Sequence, residues 1–320
     1  MRDVVKEAER KRAAEAAQDD KARRRQQERE DEEAARLIAH AKHSKLFTLN
    51  WTDGSHPSVQ CFDNTEQWKA FISGNAKDKL MNPYVIKGAA VAGARLSDRM
   101  RQWCTAFESH CTSKSKDTVY APLGDIGKAE FNELVEKLGF TDLQSKTLIP
   151  SIKHKMTEID LYGYTQTSLY CDWPAGYLGS IWFHFGGKMS LLLMEATDLA
   201  KVCPKNGSEP TTWSTLREWA LQLDSQKVNK EYMVELKTKG LTVWHINLIS
   251  GDVLFVPPGH LLLGAPLDGA AHGIQRPFVG KGAKVGMMMS KGLGFFAESE
   301  SKLKQAVAAS VDAMLMEENP

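Results

Sequence analysis

The stretch GDVLFVPPGHLLLGAPL, residues 251–267, predicts two short strands joined by a Pro-Pro-Gly corner. Gly251 turns the chain before the first strand, and Asp252 stabilises that turn because an Asp side chain accepts hydrogen bonds from nearby backbone amides. Pro257 to Gly259 then end the first strand and start the second. The corner therefore directs the side chains that follow it into an interior, which is either a catalytic centre or an apolar core.

Other short strand patterns lie on both sides of this stretch. Ile181–Phe185 and Lys188–Met194 are separated by Gly186-Gly187, a two-residue hairpin signal, so we expect these two strands to be antiparallel neighbours. Further strand patterns occur in LTVWHINLI, HGIQRPFV and AKVGMMM. Many short strands broken by Gly and Pro are typical of a closed or sandwiched antiparallel β architecture.

Helical patterns flank these strands. NTEQWKAFIS reads as a capped short helix, and KAEFNELVEKLGF has apolar residues at helical spacing with Gly139 where a C-cap glycine belongs. KLFTLNW and PYVIKGAAV predict strands in the same region. TTWSTLREWALQLDS and NKEYMVELKTKG predict helices within an insertion, and residues 298–317 predict a final amphipathic helix. The fold class is therefore α+β.

The N-terminal segment, residues 1–44, differs in composition from the rest of the chain. It is rich in Ala, Glu, Lys, Arg and Gln, which predicts a long charged helix. No sustained heptad of Leu or Ile is present, which favours a solvated helix or linker over a coiled coil. We expect this segment to be a spacer or partner contact beside one domain, residues 45–320.

Overall charge and the number of cysteines indicate in which compartment the protein resides and which partners it attracts. The 320-residue chain has a formal net charge of +1, so no overall positive field favours nucleic acid or an anionic membrane. The first residues lack the apolar core of a signal peptide, and no apolar run is long enough to span a bilayer. The 5 scattered cysteines are an odd number and favour reduced thiols. An intracellular protein is expected, cytoplasmic or nuclear.

Two blocks of sequence carry a family resemblance. The order DWPAGYLGSIWFHFGGK, followed much later by ISGDVLFVPPGHLLLG, resembles the JmjC (Jumonji C) branch of the cupin superfamily. The resemblance implies a double-stranded β-helix, a jelly-roll barrel whose core spans about residues 84–290 with helices around it.

The resemblance also implies a site, which fails at the positions that carry the chemistry. Active JmjC oxygenases bind Fe(II) through two histidines and one carboxylate and leave open positions for 2-oxoglutarate and dioxygen. The family's H-x-D motif falls on Trp173 to Ala175, and its second histidine falls on Leu262. The co-substrate tyrosine corresponds to Phe183, and the co-substrate lysine corresponds to Lys188 if the hairpin is two residues shorter here. None of the three metal positions holds a ligand.

Nearby side chains offer a displaced site as an alternative. A shifted register would bring Asp172, His260 and His184 together. Period-2 alternation speaks against this arrangement, because Asp172 would face away from Trp173, and His184 would face away from Phe183. His260 and Leu262 share a face, and His184 shares one with Trp182.

We therefore expect an apolar interior filled by Trp173, Phe183 and Leu262, because a polar ligand without its metal is costly to bury. The mouth of this interior could still hold a peptide or small ligand. Its candidate lining residues are Tyr170, Asp172, Lys188 and His260.

Three functions remain open. The first is a catalytically silent JmjC-like barrel that binds a protein partner or acts as a scaffold, without a cofactor. The second is an Fe(II) and 2-oxoglutarate-dependent hydroxylase or demethylase with displaced ligands. The third is a cupin that binds a small molecule. The residues at the centre of the barrel distinguish these functions.

Overall fold

The computed structural model describes residues 58–74, 80, 82–90, 118–122, 128–144, 160–164, 170–172, 179–203, 215–216, 219, 230–267 and 271–280. The chain divides into two compact units, Met1–Lys42 and His43–Pro320, and all described residues belong to the second. This part is a mixed α+β structure in which strands dominate.

The described strands form two sheets of seven and four strands. The seven-stranded sheet has the order β1-β2-β9-β6-β11-β4-β3, and the four-stranded sheet has the order β5-β10-β7-β8. In chain order the strands are β1 (Gln60–Phe62), β2 (Tyr84–Ile86), β3 (Thr118–Pro122), β4 (Asp160–Tyr164), β5 (Tyr170–Asp172), β6 (Gly179–Gly186), β7 (Lys188–Glu195), β8 (Val243–Ile249), β9 (Val253–Val256), β10 (His260–Pro266) and β11 (Ala271–Phe278).

Eight of these strands follow a nested pairing scheme. β7 pairs with β8, β6 with β9, β5 with β10 and β4 with β11, all antiparallel. The chain therefore folds back on itself around the β7–β8 connection, and the nested pairs are distributed over two sheets. β10 also pairs with β7, and β11 with β6, which completes each sheet.

The Gly186-Gly187 pair does not form the hairpin that the sequence predicts. Within the described part of the chain, β6 pairs with β9 and β11, whereas β7 pairs with β8 and β10. Gly187 has a positive φ of 75° and lies where the chain passes from the seven-stranded to the four-stranded sheet. The prediction of antiparallel neighbours is wrong, because a two-residue turn can also carry a chain from one sheet to another.

Short helices flank the sheets where the patterns place them. α1 (Thr65–Ile72) begins after Asn64, whose side chain accepts a hydrogen bond from the Gln67 amide. α2 (Lys128–Lys137) is followed by Gly139 with φ 74° and then by α3 (Phe140–Leu143). α4 (Ala196–Val202) and α5 (Lys230–Thr238) lie between β7 and β8. None of the described helices is long and apolar enough to cross a membrane.

Two apolar clusters form the core. The inner cluster takes residues from both sheets: Val85, Tyr162, Trp182, Met189, Leu191, Leu193, Trp244, Ile246, Leu248, Leu254, Val256, Leu262 and Ala271. The outer cluster joins the seven-stranded sheet to α1, α2 and α3, and it includes Trp68, Phe131, Phe140, Ile181, Phe183, Phe255, Ile274 and Phe278. Alternate residues of one strand belong to different clusters, because side chains point to opposite faces of a sheet.

Several predicted elements lie outside the described residues. These are the charged helix of residues 1–44, the strands KLFTLNW and AKVGMMM, the helix TTWSTLREWALQLDS apart from 215–216 and 219, and the final helix of residues 298–317. β1 was not predicted, and it adds a parallel strand beside β2.

Candidate functional site

Leu262 lies in the interior between the two sheets. Its side chain is completely buried in the inner cluster, and its register partner Leu193 belongs to the same cluster. On the other side of β10, the backbone of Asp172 in β5 pairs with Leu262. The position that the family resemblance assigns to the second iron-binding histidine is therefore packed with hydrocarbon.

His184 shares a face of β6 with Trp182, as alternation predicts, but this face points into the interior, where we expected Phe183. Its Nε2 lies 3.1 Å from the Gly187 carbonyl oxygen, which only accepts, so Nε2 carries the proton. Nδ1 therefore accepts the hydroxyl hydrogen of Tyr162, whose oxygen is 2.9 Å away. Burial lowers the pKa of His184 to about 4. Both ring nitrogens are occupied, so this histidine has no lone pair left for a metal.

His260 differs from His184 in its hydrogen bonding. Its Nδ1 donates to the Pro258 carbonyl oxygen at 3.2 Å, which leaves Nε2 as a lone-pair acceptor in the neutral ring. Nε2 is buried and has no hydrogen-bond partner among the described residues. The ring lies 5.2 Å from the Trp244 ring, and burial lowers the pKa of His260 to about 4. A buried acceptor without a donor is uncommon and calls for an explanation.

The structure corrects the placement of Phe183. We expected Phe183 and Leu262 to fill one interior, but Phe183 belongs to the outer cluster and Leu262 to the inner one. Phe183 contacts Phe131 of α2 in a T-shaped arrangement with ring centroids 4.8 Å apart. Trp182 takes the inner position instead, with its indole nitrogen donating to Ser180. The error comes from assigning a face by family position rather than by alternation along β6.

Lys188 also lies away from the interior. Its side chain is exposed, and the residues of β7 that enter the inner cluster are Met189, Leu191 and Leu193, which alternate with it. The expectation that Lys188 lines the mouth beside His260 is not met, because Lys188 and His260 stand at opposite ends of the β7–β10 ladder. Lys188 pairs with Ile249 on β8.

The remaining candidates are placed only by their backbones or lie outside the described residues. Tyr170 and Asp172 form the ends of β5 and pair with Gly264 and Leu262. Trp173 and Ala175 lie outside the described residues. His184 pairs with Gly273 in the seven-stranded sheet, whereas Asp172 and His260 belong to the other sheet. The structure therefore does not bring the three residues of the displaced site together in one sheet.

The described residues include His, Cys, Asp and Glu side chains, which are the usual metal ligands. In that part of the chain, no three His, Cys, Asp or Glu side chains lie close enough to share a metal ion. Of His184 and His260, only His260 has a ring nitrogen whose lone pair accepts no hydrogen bond from the described residues. Its register partner Glu195 is held by the hydroxyl of Thr197, which donates to the Glu195 carboxylate at 2.9 Å.

A Ser-His pair on β7 and β8 was not predicted. The Ser190 hydroxyl lies 2.8 Å from Nε2 of His245. A nucleophile needs such a base, but it also needs access to substrate, and Ser190 is completely buried. Burial also lowers the pKa of His245. The pair therefore acts as a structural hydrogen bond between two strands, and no sequence motif marks it.

Comparison with known proteins adds no assignment. No protein-family model matches the chain, and no curated protein matches its sequence.

Proposed function

We propose that β4 to β11 form a jelly roll of the JmjC type, with the inner cluster as its core. The nested antiparallel pairs support this proposal, because a jelly roll is a long folded hairpin of eight strands distributed over two facing sheets. The Gly251 and Gly259 corners support it as well, since both glycines have positive φ values of 97° and 78°.

The proposed function is that of a catalytically silent JmjC-like domain that acts as a binding or scaffold module. The observation that carries it is the burial of Leu262 in the inner cluster, at the position of an essential ligand in the active enzymes. An iron centre needs open coordination positions and a cavity for 2-oxoglutarate, and packed leucine side chains supply neither. The packed interior of this domain then stabilises the fold, and a partner binds to its surface.

Metal titration tests this proposal. Calorimetric titration of the full chain with Mn(II), which replaces oxygen-sensitive Fe(II), is expected to give no binding at millimolar metal, with or without 2-oxoglutarate. Binding that strengthens with 2-oxoglutarate and disappears in both Asp172→Ala and His260→Ala would establish the displaced oxygenase site instead. His245→Ala is the matched control, because it removes a histidine outside the inner cluster.

A small-molecule-binding barrel is the second candidate, and the free Nε2 of His260 favours it. A ligand that donates a hydrogen bond to this nitrogen would satisfy a buried acceptor that otherwise costs about 1–3 kcal/mol. This candidate predicts a small molecule bound to the purified full chain in native mass spectrometry and its loss in His260→Leu. A spectrum that shows the bare chain mass for wild type contradicts it.

We further propose an intracellular location and a protein partner. Cys61 and Cys203 are free thiols, and the formal net charge is +1, which supports a reducing compartment and gives nucleic acid no general attraction.

A further inference from the structure

Arg276 is a buried cation on the outer face of β11. Only 7% of its surface is exposed, and it shares a face of β11 with Ile274 and Phe278, both of which belong to the outer cluster. α2 covers this face: the Arg276 guanidinium carbon lies 5.7 Å from the centre of the Phe131 ring. Arg276 therefore does not face the interior between the two sheets.

The contacts of Arg276 do not include an acid. Its Nη1 donates to the side-chain oxygen of Asn132 at 3.0 Å, and this neutral amide is its hydrogen-bond partner. In the described part of the chain, no carboxylate forms an ion pair with Arg276, and its Nε is buried without an acceptor. Burial lowers the pKa of the guanidinium to about 10. The ring of Phe131 gives a cation–π contact, which compensates only part of the lost hydration.

The other edge of the guanidinium has the donor geometry that suits an oxyanion. With Nη1 bonded to Asn132, the N–H groups of Nε and Nη2 lie side by side on the other edge. This pair of donors matches two oxygens of a phosphoryl or carboxylate group, which is the bidentate geometry that distinguishes Arg from Lys.

The N-terminal half of α2 lies beside Arg276. Phe131 and Asn132 are the fourth and fifth residues of α2 (Lys128–Lys137), and helical side chains lean toward the N-terminus. Arg276 therefore contacts the N-terminal half of α2, where the helix dipole favours an anion over a further positive charge. A bound anion would also compensate the buried guanidinium charge.

We propose that Arg276, beside the N-terminal half of α2, binds a small phosphoryl oxyanion, inorganic phosphate or the phosphate group of a metabolite. The anion occupies the Nε–Nη2 edge and neutralises the buried guanidinium. This site lies on the outer face of the seven-stranded sheet, and it does not depend on whether the interior is catalytic.

Phosphate binding to the full chain tests the proposal at constant ionic strength. Calorimetry is expected to show one phosphate site in wild type, and phosphate is expected to raise the unfolding temperature more than sodium chloride or acetate does. Arg276→Met is expected to weaken phosphate binding at least about tenfold, because it removes a charge-assisted bidentate contact. Without phosphate, Arg276→Met is expected to be as stable as wild type or more stable, because Met replaces an unpaired charge.

Two further variants separate a specific site from general charge screening. Arg276→Lys keeps the charge but loses the two-donor edge, so it should also bind phosphate more weakly than wild type, and it serves if Arg276→Met does not fold. Lys69→Met removes an exposed cation from α1 and should bind phosphate as wild type does. The proposal is overturned if both Arg276 variants bind like wild type, or if acetate or chloride stabilises wild type as much as phosphate.

Discussion

Lowering the pH from 7 to 4 is expected to destabilise the fold by roughly 6 kcal/mol through two buried histidines. Burial lowers the pKa of His184 and the pKa of His260 to about 4. The unfolded chain has a histidine pKa near 6.5 and therefore binds more protons than the native state between these values. Stability from each histidine is fully present above pH 6.5 and is lost as the pH falls toward 4, by about 3 kcal/mol each.

Urea unfolding at several pH values between 4 and 7 measures this effect. His184→Gln and His260→Gln should each flatten the pH dependence of the free energy of unfolding by about 3 kcal/mol, because glutamine does not titrate. His245→Gln is the matched control, since His245 is only partly buried and its removal should change the slope less. An unchanged slope in both buried-histidine variants would show that carboxylates cause the acid sensitivity.

The opposite hydrogen-bonding states of these two histidines show where sequence reasoning reaches its limit. Alternation along β6, which is a local property, predicts that His184 shares a face with Trp182. It does not predict that this face points inward, and the family position of Phe183 indicated the opposite. The hydrogen bond between the Tyr162 hydroxyl and Nδ1 of His184 does not follow from the sequence, because no pattern predicts β4 as a strand. The hydrogen bond from His260 to Pro258 is local, because the two residues are two positions apart. Whether Nε2 finds a donor depends on all the side chains that surround it in the fold.

Local turn and helix chemistry was predictable, and strand pairing was not. Asn64 caps α1 and Gly139 takes a positive φ after α2, as their patterns predict. The Gly186-Gly187 turn carried a hairpin signal, but β6 found its partners in β9 and β11, far along the chain. A short turn determines the direction of the chain, whereas the choice of partner depends on how much apolar surface the two facing sheets bury.

The candidate anion site had no sequence signal at all. Arg276 lies in HGIQRPFV, which was recognised only as a strand, and its contact Asn132 is 144 residues away in sequence. An unpaired buried charge is a property of the folded neighbourhood and becomes visible only when the surrounding side chains are known. The same holds for the Ser190–His245 bond, which joins two strands across the insertion.

Asp252→Ala is expected to lower the free energy of unfolding by about 2–4 kcal/mol, because it removes a buried carboxylate that accepts three hydrogen bonds at the turn between β8 and β9. The Asp252 side chain is 1% exposed and accepts hydrogen bonds from the Lys87 ammonium at 2.9 Å and from the Ile249 and Gly88 amides at 3.1 and 3.3 Å. One carboxylate thus connects the end of β8 to the segment after β2. Alanine leaves the amides of Ile249 and Gly88 without this acceptor and Lys87 without its counter-ion.

Denaturant unfolding of a matched pair of variants distinguishes a buried anchor from an ordinary ion pair. Glu235→Ala removes the partner of Lys239 on the exposed surface of α5, and it should cost less than about 1 kcal/mol, because water and salt screen that pair. Asp252→Asn keeps one acceptor oxygen and should lie between Asp252→Ala and wild type. If Asp252→Ala lowers the free energy of unfolding no more than Glu235→Ala does, that result contradicts the role of Asp252 in connecting the end of β8 to the segment after β2.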